Sequence, residues 1–328
     1  MIRKITNEKL RALFKEWSED HRVMVPDERG RLVEYSEDID ICWDTVPVWG
    51  GVKEFVFPAR NLVAGIEEED TLQIILVGIR SCDIRALKGV FDRVFLEEEP
   101  VDTVYKNFRE NLKLVTVDCA SPADTCFCAA VGGEPYCEKG FDINLAFTDD
   151  GIVIETGSEA GEKMTGSLGE NEANREDIEK RNDLRDTSSR KVRQNLKLDH
   201  DKDGMGEKVA GNNSADYWEE KSEKCMQCGG CNFVCPTCYC NVLNEISGKK
   251  EIKKVLQWDS CHFPGYARVG GGANPRQELW QRFRNRYLCK FSLMQNEFDM
   301  SGCTGCGRCI QTCPGKIDIR ETLKGLYD

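Results

Sequence analysis

Two stretches decide how this chain is read: CMQCGGCNFVCP at residues 225–236 and CTGCGRCIQTCP at residues 303–314. Both run C-x2-C-x2-C-x3-C-P. In the bacterial ferredoxin pattern the three closely spaced thiolates belong to one iron-sulfur cube and the fourth reaches across to the other. Crossing the fourth ligands predicts one 4Fe-4S cluster on Cys225, Cys228, Cys231 and Cys313 and a second on Cys303, Cys306, Cys309 and Cys235. The glycines between them (Gly229, Gly230, Gly302, Gly305, Gly307) permit tight turns whose N–H groups can point at sulfide. Zinc is the competing reading, but four-cysteine zinc sites ordinarily use paired C-x2-C knuckles rather than a third cysteine at the next step.

Working outward, 67 residues separate Cys235 from Cys303, far more than the hairpin insert of a compact ferredoxin. They include ELWQRFRNRYLCKF, which places Trp280, Phe283, Tyr287 and Phe291 on one helical face and favours a mostly helical dicluster domain. Arg276, Arg282, Arg284, Arg286 and Lys290 in this region could dock an acidic partner or balance cluster charge, but ordinary amphipathicity accounts for them. Cys238, Cys240, Cys261 and Cys289 are surplus to the two motifs. Packing as small apolar side chains is their first reading, and further ligation or thiol chemistry the second. His262 reads as structural.

The N-terminal half has a different grammar. Strand-like runs at Leu72 to Gly78, Leu114 to Asp118 and Ile152 to Glu155 alternate with helical patterns at Asp83 to Phe95 and Val101 to Leu112. Strand, helix, helix, strand predicts a parallel crossover. Cys82 follows the first strand and opens a helix whose N-terminus favours a thiolate, and Cys119 ends the second strand. Ligands collect at the carboxyl edge of such sheets, so Cys82, Cys119, Cys126 and Cys128 are expected to converge on a third site. A third 4Fe-4S cluster is the favoured occupant, with zinc or unmetallated thiols as alternatives. Cys42 and Cys137 are spare candidates. From about Gly157 to Ala215 there is no aromatic residue and no cysteine, and this polar segment cannot build a core alone. Arg175 to Leu198 is expected to form a solvated helix and residues 199–216 a loop. The fold is therefore expected to be α+β: an α/β domain at 1–156, a polar linker or helical segment at 157–216, and a ferredoxin-like domain at 217–328.

Composition narrows the function. The 328 residues carry 45 Lys+Arg against 57 Asp+Glu, a net charge of −12 that disfavours nucleic acid as a partner. With His21, His200 and His262 as the only histidines, His-rich metal sites and Ser-His triads lack raw material. No nucleotide-binding glycine motif follows a strand, and carboxylate runs such as 67–70 and 97–99 read as solvated faces, so no catalytic residues are assigned. The opening MIRKITNEKLRALFKEW is an amphipathic helix with Leu10, Leu13, Phe14 and Trp17 in its stripe, not a signal peptide. No apolar run approaches the roughly 20 residues of a membrane span. A cytoplasmic protein is expected.

Taken together, GIRSCDIRAL, DTCFC, CMQCGGCNFVCPTCYC, QWDSC and CTGCGRCIQTCPGKID resemble one group of redox proteins. The chain is similar to the iron-sulfur subunit family of cytoplasmic sulfhydrogenases (their beta subunit) and anaerobic sulfite reductases. The resemblance implies an electron-transfer subunit of an anaerobic oxidoreductase complex. Its partners would be a flavin subunit, linked to NAD(P) or ferredoxin, and a catalytic subunit of hydrogenase or sulfite-reductase type. It also implies that Cys225 to Cys235 and Cys303 to Cys313 are ligands here. An alternative is an enzyme in which a cluster and an extra thiol reduce a disulfide or sulfur compound, and a third is a zinc-stabilised assembly module.

Overall fold

Strands buried on both faces need near-continuous apolar sequence, and the run from Ile74 to Ile79 supplies it: Ile75, Leu76, Val77 and Ile79 are fully buried. The computed structural model describes residues 1–44, 48–63, 73–169, 171–195, 204–247 and 252–327. In chain order the N-terminal elements are β1 (Ile2–Ile5), α1 (Asn7–Trp17), β2 (Arg22–Pro26), β3 (Leu32–Glu34), α2 (Lys53–Val56), β4 (Arg60–Leu62) and β5 (Ile74–Ile79). Then come α3 (Ser81–Ala86), α4 (Thr103–Glu110), β6 (Leu112–Val117), β7 (Ile143–Thr148) and β8 (Gly151–Thr156). Seven of these strands form one sheet, ordered β1-β8-β7-β6-β5-β2-β3. Its centre, β2, β5, β6 and β7, is parallel, and the edges turn antiparallel.

The expected crossover is present, since β5 pairs β6 in parallel with α3 and α4 between them. Helix α3 continues through two π-helical segments, Leu87–Phe91 and Arg93–Glu97. The stripe Leu10, Leu13, Phe14 and Trp17 of α1 is buried against one face of the sheet, with Val23, Val77, Val115 and Leu145. Leu72, the carboxylate run 67–70, Leu198 and His200 lie outside the described residues.

The polar segment is not an independent spacer, which corrects the reading of residues 199–216 as a loop. Helix α5 (Glu159–Met164) and the long α6 (Arg175–Gln194) lie on the sheet side of the molecule. Helix α7 (Met205–Gly211) sits inside the expected loop, with Met205 and Val209 buried beside Phe291 and Tyr287 of the C-terminal half. Its two apolar residues are spaced by four, too few to register as periodicity, and their cover comes from another part of the chain.

Beyond it follow α8 (Ala215–Ser222), α9 (Gly230–Phe233), the hairpin β9 (Asn241–Ser247) and β10 (Ile252–Trp258), α10 (Leu279–Leu288), α11 (Met294–Phe298), α12 (Arg308–Gln311) and α13 (Ile319–Lys324). Fully buried Trp218 of α8 packs on Phe283 and Tyr287 of α10 to centre this half. The two halves also share a sheet, because β4 from the N-terminal half pairs antiparallel with β10. Phe57 stacks on Trp258 above that seam. The whole is α+β, an α/β sheet region followed by a mostly helical cysteine-rich region. Among the described residues no helix is long and apolar enough to cross a membrane.

Among the ion pairs that hold helix α6 is a buried one, Arg185 Nε to Asp118 Oδ2 at 2.7 Å, with Asn144 donating to the same carboxylate at 3.0 Å. Replacing Arg185 with alanine leaves Asp118 buried and without its ion-pair partner, and should cost about 3–5 kcal/mol in denaturant unfolding. On the same helix, Arg175→Ala removes an exposed pair with Glu179 and should cost less than about 0.5 kcal/mol. Equal losses would show that α6 is not anchored through Asp118.

Candidate metal centres

The two cysteine motifs fold as local twins. In each, the residue two after the first cysteine and the residue four after it take left-handed backbone: Gln227 (φ 55) and Gly229 (φ 72) in one, Gly305 (φ 66) and Gly307 (φ 74) in the other. The turns end in one-turn helices, α9 and α12, that carry the third cysteine of each motif. Asparagine aside, such backbone favours glycine. The twin positions differ for a packing reason. Gln227 is tolerated and accepts from Arg282 Nη2 at 2.7 Å, whereas a Cβ on Gly305 would stand 2.5 Å from the backbone N and Cα of Cys128. A Cβ on Gly307 would likewise meet the Thr125 carbonyl at 2.5 Å. Glycine in the second motif therefore admits the N-terminal half against it, and Phe127 N–H donates to Gly305 O at 2.8 Å across the contact.

Among the described residues, cysteines line three cavities. Cys225, Cys228, Cys231 and Cys313 share the first, Cys235, Cys303, Cys306 and Cys309 the second, and Cys82, Cys119, Cys126 and Cys128 the third. The sequence-derived groupings are thus each brought to one cavity. Cys42 and Cys137 do not line any of these three. Among the described residues, no three Cys, His, Asp or Glu side chains close on a point as ligands of one ion must. The thiols of each group stand around the walls of one cavity.

Burial raises several of these thiols. It pushes Cys231, Cys303 and Cys126 up to about 12 and Cys306 to about 11. Cys82 is also raised, by burial first and by neighbouring Asp83 next. Iron requires thiolates, and buried thiolates require positive charge nearby. Here the structure departs from the amphipathic reading of the 276–290 region. Arg282, Arg286 and Lys290 are buried, and Arg286 lines both the first and second cavities. Burial opposes the charge of Arg286, but Cys231, Cys309, Cys235 and Cys238 together hold it well above the usual range. Lys290 behaves the same way toward Cys235 and Cys238, and its Nζ donates to Thr237 Oγ1 at 2.5 Å, beside the Cys235 sulfur.

Hydrogen-bond donors complete the first wall. Ile317 N–H donates to Cys313 Sγ at 3.4 Å. The His262 ring lies 3.8 Å from Cys225 Sγ and 3.9 Å from Cys231 Sγ. Burial and then Arg286 and Arg282 push this imidazole down to about 3, which keeps it neutral with a single ring N–H to offer. Near Cys306 and Cys82, Arg308 Nη2 meets Asp83 Oδ2 at 2.7 Å in a fully buried pair, and its Nε donates to Val48 O at 2.8 Å. The sequence reading weighed Arg286 and Lys290 as cluster charge balance but preferred a solvated helix back, took His262 as structural, and missed Arg308. One signal was present: Arg282, Arg286 and Lys290 repeat every four residues directly beside the row Phe283, Tyr287, Phe291, not opposite it.

Comparison with known proteins agrees with this cysteine geometry. A family model described as a 4Fe-4S dicluster domain matches residues 224–317. Over 283 residues, 83% of this chain and 81% of the relative, the sequence is 30% identical to Sulfhydrogenase 2 subunit beta of Pyrococcus furiosus. The chain belongs to the sulfhydrogenase beta-subunit family. As a member it is an iron-sulfur electron-transfer subunit, and its dicluster domain carries two 4Fe-4S clusters. The family match extends well beyond the dicluster domain into the sheet half. No solved structure matches it.

The contact at Gly305 yields a test. Gly305→Ala adds left-handed strain of about 1–2 kcal/mol plus a backbone clash, and should lower the thermal midpoint and the iron bound per chain. Gly211→Ala, at the end of α7 with nothing within 4 Å of the added Cβ, should be neutral or stabilise by up to about 1 kcal/mol. A Gly305→Ala protein with unaltered midpoint and iron would refute the close packing of the two halves.

Proposed function

We propose that this subunit relays single electrons through three centres in series. In this reading the first is held by Cys225, Cys228, Cys231 and Cys313, the second by Cys303, Cys306, Cys309 and Cys235, and the third by Cys82, Cys119, Cys126 and Cys128. One observation carries it: Cys309 lines the first and second cavities, and Cys306 lines the second and third. The sites are thus strung along shared walls, and the second lies between the other two. A 4Fe-4S cube bound at each supplies one-electron chemistry over a potential range set by its surroundings.

The protein's part is to hold and tune. Arg286, in the wall between the first two sites, supplies fixed positive charge to both. The Arg308–Asp83 pair ties the two halves together through a fully buried contact. The first site opens outward, since Cys228 is exposed and Met226 beside it is 70% exposed. That edge suits contact with another redox protein. The partners we propose are a flavin subunit linked to NAD(P) or ferredoxin and a catalytic subunit of hydrogenase or sulfite-reductase type.

Iron and acid-labile sulfide on anaerobically prepared protein test the count. About twelve irons per chain are expected, falling to about eight in Cys119→Ser with the fold retained. About eight in both proteins would reduce the relay to the dicluster domain. Arg286→Gln should shift the first two centres to lower potential in a redox-poised EPR titration, and Arg286→Lys should largely restore them. Unmoved potentials in Arg286→Gln would remove Arg286 from the tuning role.

A further inference from the structure

Lys53 opens α2 in the N-terminal half, yet its side chain ends against the first cysteine motif, and it is only 4% exposed. Its Nζ donates to Phe233 O at 3.1 Å, Asn232 O at 3.4 Å and Cys235 O at 3.5 Å. The same nitrogen lies 3.9 Å from the centre of the Trp258 ring. Three carbonyl acceptors match the three N–H groups of an ammonium, where an amine has two to give, and a ring face also favours the cation. Among the described residues its partners are these carbonyls and this ring, with no carboxylate. Burial holds Lys53 below the usual lysine range, against the pull of Cys238 and Cys235.

Both halves build this contact. The carbonyls belong to the end of the one-turn helix α9 and the turn after it, where helix geometry leaves the last carbonyls without helical partners. That turn runs from Cys231 to Cys235. On the other side, the segment leading to Lys53 is fixed by the buried pair at Arg308. Val48 O accepts from Arg308 Nε at 2.8 Å, and a Cβ on Gly51 would stand 2.4 Å from Asp83 Oδ1 and 3.3 Å from Arg308 Nη2. Cys235 is thereby held at two points. Lys53 holds its carbonyl, and its sulfur lies 3.3 Å from the Thr237 hydroxyl, which accepts from Lys290. Arg308 faces a carboxylate, Asp83, whereas Lys53 meets only carbonyl oxygens and a ring face.

We propose that Lys53 is a positioning residue for the second centre, through which the sheet half sets that centre's reduction potential. It holds the turn that presents Cys235, and it fixes a positive charge beside that ligand. Reduction adds one negative charge to a cluster, so a fixed cation nearby favours the reduced form and raises the potential. The effect is largest at the second centre, whose ligand Lys53 touches. It is smaller at the first, because the contacts at Asn232 and Phe233 fall beside Cys231 and not on it. The inference rests on the reading above that Cys235 is a ligand of the second centre.

A redox-poised EPR titration of the full chain with its iron in place, prepared anaerobically, tests this. Cys235→Ser marks the second centre as the signal that it removes or alters. Lys53→Met, close to lysine in length, should shift that signal to lower potential by more than the others, with iron per chain unchanged. Lys53→Arg should return it most of the way, and Trp258→Phe, which keeps the charge, should leave it in place. If Lys53→Met loses iron that Lys53→Arg retains, the charge is needed to hold Cys235, which also supports the proposal. The proposal is overturned if the second signal keeps its wild-type potential in Lys53→Met, or if Lys53→Arg shifts it as far. Equal loss of iron in both variants overturns it as well, since Lys53 would then be a packing residue only. Unaltered signals in Cys235→Ser would fault the ligand set and the proposal with it, whereas a signal lost there beside an unmoved Lys53→Met faults Lys53 alone.

Discussion

Positive charge buried among thiols is the constraint on which the rest of the structure depends. Each cysteine-lined cavity gathers groups that burial drives toward the neutral thiol, while iron binding demands the anion. The chain resolves this with Arg286 and Lys290 on the inner row of α10 and its π-helical extension, and with Arg308 inside the second motif. None of these cations could be buried without anions to face, and the anions could not be buried without them. An acidic chain of net charge −12 thus buries Arg286, Lys290 and Arg308 among its thiols.

The same logic explains how the two halves are joined. Arg308 reaches out of the cysteine motif to Asp83 at the start of α3, so one residue is shared between the sheet and the dicluster domain. Gly305 and Gly307 let the segment around Cys126 and Cys128 lie directly on the second motif. Strand β4 completes the sheet of a hairpin that arrives much later in the chain. Both halves are needed to build the third cavity, whose wall includes Cys306 and Gly305 from one and Cys82 and Cys119 from the other.

Much of this was legible in the sequence because it is local. The paired cysteine spacing needs only a tight turn and a short helix, and the crossover β5-α3-α4-β6 follows from apolar periodicity within one stretch. Cys82 and Cys119 were placed correctly at one edge of the sheet because strand ends can be read from where the apolar runs stop. What escaped was non-local. Met205 and Val209 gave α7 no visible stripe, since their cover is Phe291 and its neighbours. Arg282, Arg286 and Lys290 look like a solvated helix back until the thiols they face are known. The β4 strand is three residues long, and its pairing with β10 carries no signal in either segment alone.

The central claim is that three iron centres stand in a row whose middle member shares walls with both neighbours. Anomalous diffraction at the iron edge, from crystals of the anaerobically prepared chain, tests it most directly. Three separate iron peaks are predicted, the middle one beside Cys306 and Cys309 and the outer two beside Cys228 and Cys119. Two peaks only, or a third lying away from Cys82, Cys119, Cys126 and Cys128, would contradict it.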